Sequence, residues 1–513
     1  MALQINEEEE LQLDIRTKLL PSILTGLLIH FAAPVISQTE ECTIGVACGA
    51  ATQDGRPMIW KTRDYLDEPD NEVRYDNYMK YRFIYVAGAD SRTSARMGVN
   101  EHGLAIVNSN TTDLPDGSDT GPLNGQLIKN SLGNCRTIED FQAYLDETNQ
   151  TGRRTNGCFA TIDSTGAAAL FEVGELAYWR FDATDDPTGY VLRTNFSING
   201  GGSSGRERLI RSVALVGGFH RGDSLNHRSI LRHQMRDFSD NGSNPFPIPF
   251  NGALGGNPHG YIETTKSICR NSSVSASVIT GVLPGEFPEL STMWTILGQP
   301  GSSIALPYWP IGYTPHESDG VITSQLCDVA NQIKQHLFDD PGDKDCIDTY
   351  KLLDGEGGGL WTRTFPYEDT IFAGTELLLE EWREEEELPV TDMKALEDSL
   401  ALKTYHYLQS CLGYILTDPP VTALPGYHSR VFPNPFNTES MLTYELSERS
   451  DVNIRVFTLT GALLESVRFT DKSPGEYSHT LGGDGTLYPD GILLVKLTIN
   501  NRTETLKVIK TPR

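Results

Sequence analysis

A cysteine that stands first in a mature chain can do chemistry that an internal cysteine cannot, because its own α-amine is free to act as the base that activates the thiol. Cys42 is placed for this. It follows an apolar stretch, Leu19–Ser37, and then the short segment Gln38-Thr39-Glu40-Glu41. An unperturbed α-amine titrates at about 7.7–8.0, so near neutral pH it can take a proton and return it. The arrangement requires that residues 38–41 be removed, and autoproteolysis at Glu41–Cys42 would remove them. On position alone the competing reading is a packed or paired cysteine, as most early cysteines are.

The elements that must position Cys42 read as sheet. Cys42–Cys48 and Pro57–Lys61 read as short strands around the turn Gln53-Asp54-Gly55, and Tyr81–Val86 and Leu104–Asn108 continue the pattern. The spacing predicts helices over Gln126–Leu132 and Ile138–Leu145, the second with Thr137 as N-cap. Cys158–Ile162, Ala168–Val173 and Ala177–Phe181 then read as strands separated by hairpin signals. Strands, a helical pair and more strands predict an α+β layered fold rather than alternating βαβ units. The Pro, Gly and Asn-rich residues 239–260 read as an insertion or a lid over a pocket. Helices are predicted over Thr375–Leu388 and Asp392–Cys411, with Glu384–Glu387 as a solvated face. Cys48 shares the face of Cys42 on the first strand and reads as core. Trp294, Tyr308 and Trp309 could line an acyl pocket, although buried aromatics are more often core.

In this order, several motifs resemble those of the cysteine N-terminal-nucleophile hydrolases that act on linear amides, the group of choloylglycine hydrolase, penicillin V acylase and penicillin acyltransferase. The motifs are Cys42-Thr43, Asp54-Gly55, Lys61-Thr62-Arg63-Asp64, then Gly98-Val99-Asn100-Glu101-His102-Gly103-Leu104-Ala105, then Thr194-Asn195-Phe196. The resemblance runs over roughly residues 42–215 and is thinner to 410. It implies an αββα sandwich that hydrolyses or transfers an acyl group at a non-peptide amide through a thioester. It also implies roles. Cys42 would be nucleophile and, by its amine, base; Asp64 would hold that amine. Asn110, or Asn108 two residues earlier, would donate to the oxyanion, and Asn195 matches the second asparagine of the pattern. Arg208 matches the late arginine, with Arg206 as competitor. The substrate-orienting arginine of the pattern falls on Lys61 here, with Arg63 beside Asp64. Lysine keeps the charge but loses the planar fork.

Pro419, Pro420 and Pro425 mark a linker, and a second pattern begins near Val431. Six alternating strands follow, Met441–Leu446, Val452–Leu459, Ala462–Phe469, Glu476–Leu481, Ile492–Ile499 and Thr503–Ile509, which predict a small immunoglobulin-like β-sandwich. Pro433-Asn434-Pro435-Phe436, Val456-Phe457-Thr458-Leu459-Thr460-Gly461, Leu487-Tyr488-Pro489-Asp490-Gly491-Ile492 and the basic end Lys507–Lys510 resemble the type IX secretion sorting domain. That resemblance implies the type IX machinery as a partner. It also implies release from, or attachment to, the surface of a Bacteroidetes-type bacterium.

The whole-chain properties fit this division. Arg16 and Lys18 ahead of an apolar stretch broken by Pro21 and Pro34 read as a signal peptide over residues 1–37. A propeptide over 38–41, a hydrolase domain over 42–412, a linker over 413–430 and the sorting domain over 431–513 are expected. A formal charge of −27 argues against nucleic acid or an anionic membrane as a partner. The eight cysteines have no CxxC spacing, so no zinc site is expected, and nothing else in the sequence points to a metal or an organic cofactor. The functional expectation is a secreted, autoprocessed cysteine amidohydrolase on a small-molecule amide. An acyltransferase or dipeptidase on the same fold, and a surface binding protein that has lost catalysis, are the alternatives.

Overall fold

The structure, a computed structural model, describes residues 41–66, 68–88, 91–239, 260–320, 323–340, 342–353, 358–417, 429–446, 448–458, 462–482, 488–500 and 502–512. The expected signal peptide, most of the propeptide, the 239–260 loop beyond its ends and most of the linker lie outside these residues.

The chain opens with a hairpin of β1 (Glu41–Ala47) and β2 (Met58–Asp64). A seven-stranded antiparallel meander follows: β3 (Asn71–Asp76), β4 (Phe83–Gly88), β5 (Met97–Asn100), β6 (Ala105–Asn110), β7 (Gly157–Ile162), β8 (Ala168–Val173) and β9 (Tyr178–Asp182). β10 (Tyr190–Arg193) returns to pair with β1. A short ribbon strand, β11 (Tyr261–Glu263), precedes β12 (Ser273–Thr280), β13 (Thr292–Leu297) and β14 (Leu306–Tyr308), which complete a six-stranded sheet in the order β10-β1-β2-β12-β13-β14.

The period-2 alternation of the meander assigns its two faces. Ile84 and Val86, Ala105 and Val107, and Ala160 and Ile162 join the core cluster that holds Ile44, Val46 and Ile59 of the first hairpin. Phe83 and Tyr85, Ile106, Phe159 and Phe171 turn the other way, onto Leu127, Leu132 and Phe141. Those last residues belong to the helices Asn124–Asn134 and Ile138–Thr151, the second capped by Thr137, whose hydroxyl accepts from the Asp140 amide at 3.2 Å. On the far side of the six-stranded sheet, Arg206–Arg221 packs on β10, Gln325–Leu337 on β13, and Val390–Thr417 on β14. The result is helix, sheet, sheet, helix, with the β1–β2 hairpin at the interface of the sheets.

The strands after the linker form two further sheets. One has three strands in the order Ser429–Phe432, Ser440–Leu446, Gly475–Leu481; the other has four, in the order Leu463–Lys472, Ser450–Thr458, Gly491–Ile499, Arg502–Lys510. Leu442, Tyr444 and Leu481 of the first share one core with Val452, Ile454, Val495 and Leu497 of the second. All six expected strands are present, and Ser429–Phe432 is an addition.

Candidate functional site

In the β1–β2 hairpin, Cys42 lies opposite Arg63 and Glu41 opposite Asp64. Side chains directly across an antiparallel pair share a face, so the thiol and Arg63 point one way, and Glu41 and Asp64 the other. On its other edge β1 pairs with β10 from Ile44, opposite Arg193. Continuing that register would set Asn195 opposite Cys42, but β10 ends at Arg193. The Asn195 side chain takes over the ladder's work: its Oδ1 accepts the Cys42 N–H at 2.8 Å. Its Nδ2 donates to the Asn110 carbonyl at 2.8 Å.

Arg208 enters from the first turn of the helix Arg206–Arg221. Its Nη1 donates to the Cys42 carbonyl at 2.6 Å and to Thr43 Oγ1 at 3.2 Å, and its Nη2 donates to Asn195 Oδ1 at 2.8 Å. Arg206 is exposed, and Arg211 is paired with Asp237 at 2.5 Å. Of these three arginines, Arg208 is the one at the cysteine. Burial, and then the neighbouring Arg270, push its guanidinium down to about 10.

Asp64 is buried among partners that the sequence did not single out. Arg270 Nε donates to its Oδ2 at 3.1 Å and Ser273 Oγ to its Oδ1 at 2.5 Å. Burial raises the Asp64 carboxyl above its usual range, opposed by Arg270 and Arg208. Across from it, the Glu41 carboxylate bridges Arg270 Nη1 at 2.7 Å and Arg208 Nη2 at 3.4 Å. Arg270 from the turn before β12, and Ser273 at the first position of β12, belong to a strand region paired with β2 and some two hundred residues away in sequence. The only local signal for them is the alternation of Ser273–Thr280.

The asparagine pair closes the end of β6. Lys61 is fully buried, and its Nζ donates to Asn108 Oδ1 at 2.9 Å and to the Arg96 carbonyl at 3.2 Å. Asn108 Nδ2 donates to Asn110 Oδ1 at 3.1 Å, where Asn124 Nδ2 also donates at 2.6 Å. Asn110 thus has its side-chain amide oriented by two donors and its carbonyl held by Asn195. Lys61, the residue at the orienting position, acts on Asn108. Arg63 is buried, donates to Asn71 Oδ1 at 2.8 Å and pairs with Glu68, which Arg96 Nη2 also reaches at 2.7 Å. The structure therefore brings Cys42, Asn195, Asn110, Asn108, Lys61, Arg208 and Asp64 into one connected polar cluster. Arg63 adjoins it in a separate ion network.

Trp294, Tyr308 and Trp309 are buried core residues, and Cys48 is buried beyond the end of β1. No disulfide joins any of the eight cysteines, and burial pushes Cys135, Cys158, Cys269 and Cys327 up, which makes them poor nucleophiles.

No family model and no curated protein matches this chain. Among solved structures it is similar to a penicillin V acylase from Agrobacterium tumefaciens, with 13% identity over 50% of this chain and 83% of that one, at a TM-score of 0.31. It is also similar to a C2A mutant of the conjugated bile acid hydrolase from Clostridium perfringens, with 12% identity over 52% and 92% at 0.29. A third is the Caenorhabditis elegans ortholog of N-acylethanolamine-hydrolyzing acid amidase, with 11% identity over 48% and 93% at 0.31. With TM-scores this low, the functional reading rests on the chain's own residues.

Proposed function

We propose that this protein is a secreted cysteine amidohydrolase that frees its own nucleophile by cleavage at Glu41–Cys42. The observation that carries the reading is the hydrogen bond from the Cys42 N–H to Asn195 Oδ1, made where the strand ladder has stopped. A packed cysteine has no need of an asparagine and an arginine converging on its backbone. A cysteine whose nitrogen is to become a working amine needs an acceptor there.

The chemistry then follows in balanced steps. The Cys42 thiol adds to the Glu41 carbonyl carbon, the C–N bond breaks, and the nitrogen leaves as the α-amine. Water hydrolyses the resulting thioester, freeing the Glu41 carboxylate and restoring the thiol. A substrate amide repeats the cycle, with the α-amine taking the thiol proton and passing it to the leaving amine. Asn195 Oδ1 holds the amine, and Asn110 supplies a donor for the tetrahedral oxyanion, a role worth about 2.7–4 kcal/mol. Arg208 and Asp64 fix the charge around the backbone of Cys42. The strands after residue 429 support a second proposal, that this end of the chain is the type IX secretion address.

Intact mass and N-terminal sequencing of purified wild type and Cys42→Ala test the reading. Wild type is expected to begin at Cys42, while the variant keeps residues 38–41. A mature wild-type chain that begins at Gln38 has no free cysteine amine, and the hydrolase reading then fails in favour of a binding protein.

A further inference from the structure

In self-cleavage Glu41 is the acyl group, and its side chain already occupies a seat. One carboxylate oxygen, Oε2, is shared by Arg270 Nη1 at 2.7 Å and Arg208 Nη2 at 3.4 Å. Both guanidiniums are almost entirely buried, whereas Glu41 is half out in solvent. As formal charges, Glu41 and Asp64 cancel Arg208 and Arg270. Cleavage removes one of the two carboxylates and adds an α-amine, so the two arginines are left facing Asp64 alone. The site also has an unused donor, since Arg270 Nη2 is buried with no hydrogen-bond partner among the described residues. A buried guanidinium left short of an anion is costly, and an anion returning to the vacated seat offsets that cost.

We infer that in the mature enzyme Arg208 and Arg270 bind a carboxylate carried by the acyl group of the substrate, an inference that rests on Cys42 being released at Glu41. The covalent geometry of Glu41 sets the acyl length. Its carboxylate is separated from the carbonyl under attack by Cα, Cβ and Cγ, which is the spacing of a glutaryl group. The substrate class is therefore glutaryl amides and N-capped α-glutamyl amides. In each turnover the Cys42 sulfur bonds to the acyl carbon and the amine leaves with the thiol's proton. Water then cleaves the thioester to release the diacid and return the proton to sulfur. The field is local, because the chain as a whole carries −27 and repels anions elsewhere.

The test compares glutaryl p-nitroanilide with its neutral isostere, 4-carbamoylbutanoyl p-nitroanilide, and with the shorter succinyl p-nitroanilide, on mature enzyme whose N-terminus has been sequenced. Glutaryl is expected to exceed both others at least tenfold in kcat/KM, and the ratio to the neutral isostere should fall toward one in Arg270→Gln. Wild type alone gives an independent arm if that variant does not fold. Glutarate, and not pentanoate, should slow alkylation of Cys42 by iodoacetamide, and this arm decides the matter if no anilide turns over. Hydrolysis of the neutral isostere as fast as glutaryl, or equal protection by the two acids, overturns the carboxylate seat while leaving the amidohydrolase reading intact. A mature chain that still carries Glu41 overturns both.

Discussion

At the scale of single residues, the arrangement separates groups that touch the reacting atoms from groups that hold them. Asn108 is spoken for on both sides: its oxygen accepts from Lys61 and its amide donates to Asn110. Asn110 is held at its own oxygen and carbonyl, which fixes where its amide can reach. We therefore expect Asn110→Ala to lower kcat by about 10²–10³-fold with a modest loss of melting temperature, because the two donors it releases are only part-buried. Asn108→Ala should cost less in kcat and more in stability, since it leaves the buried Lys61 ammonium short of an acceptor. Steady-state kinetics and melting curves of the two variants check this, and the reverse ranking would exchange their roles. Much of this was legible from sequence, because Cys42, Asp64 and Asn195 lie in short motifs and Asn108 and Asn110 follow the Gly98–Ala105 motif closely. Choosing Arg208 over Arg206 was not, because both sit in the first turn of one helix and only burial tells them apart. Arg270 was illegible for a different reason: its claim on Asp64 is made across a sheet, and spacing along the chain carries no trace of it.

At the scale of elements, the strands with clean alternation and tight turns were legible nearly to the residue, and those made by long-range pairing were not. Ala168–Val173 is the strand expected. β12, with Ser at every second position from 273 to 277, has the composition of a loop, and becomes a central strand because β2 and β13 satisfy it on both edges. The helix expected from Thr375 begins at Trp361 and runs through Pro366, a residue that normally ends a helix. Trp361, Phe365, Ile371 and Phe372 bury one face of it, and that packing outweighs the lost hydrogen bond. The next helix, Val390–Thr417, carries Glu397 into the interior, where one oxygen accepts the Trp309 amide at 2.8 Å and the other has no hydrogen-bond partner among the described residues. Burial raises this carboxyl well above its usual range. A carboxyl whose folded pKa is raised contributes stability that is fully present below its unfolded value and is lost as pH rises through the folded value. Glutamine keeps the acceptor and does not titrate. Glu397→Gln should therefore be close to neutral at about pH 4 and stabilising at pH 8, with a gain of about 1.4 kcal/mol for each pH unit between the unfolded pKa and the folded one, beyond which it levels off. Urea unfolding at the two pH values measures it; equal differences at both would mean that Glu397 is not protonated in the fold.

At the scale of the whole molecule, two kinds of core divide the labour. Residues 41–417 build helix, sheet, sheet, helix around the hairpin that carries Cys42, and the polar cluster uses side chains from β1, β2, β6, the turn after β10, the helix Arg206–Arg221 and the turn before β12. Residues 429–512 enclose a separate apolar cluster of their own, Phe436 to Val508. Neither cluster needs residues of the other, so catalysis and export should be separable by truncation. A chain ending at residue 417 is expected to begin at Cys42 after purification and to hydrolyse the same amides with unchanged kcat/KM. Expressed in a bacterium that has the type IX machinery, it should accumulate in the periplasm, while the full chain reaches the surface or the medium. Cell fractionation with an antibody to the hydrolase part reads the outcome. Of the motifs quoted for the address, Val456–Thr458 and the basic end Lys507–Lys510 lie in strands, and Lys507→Glu together with Lys510→Glu should impair export and leave the activity of the retained protein unaffected. Export of the truncated chain at the full-length rate would assign the sandwich some other task and move the address elsewhere in the sequence.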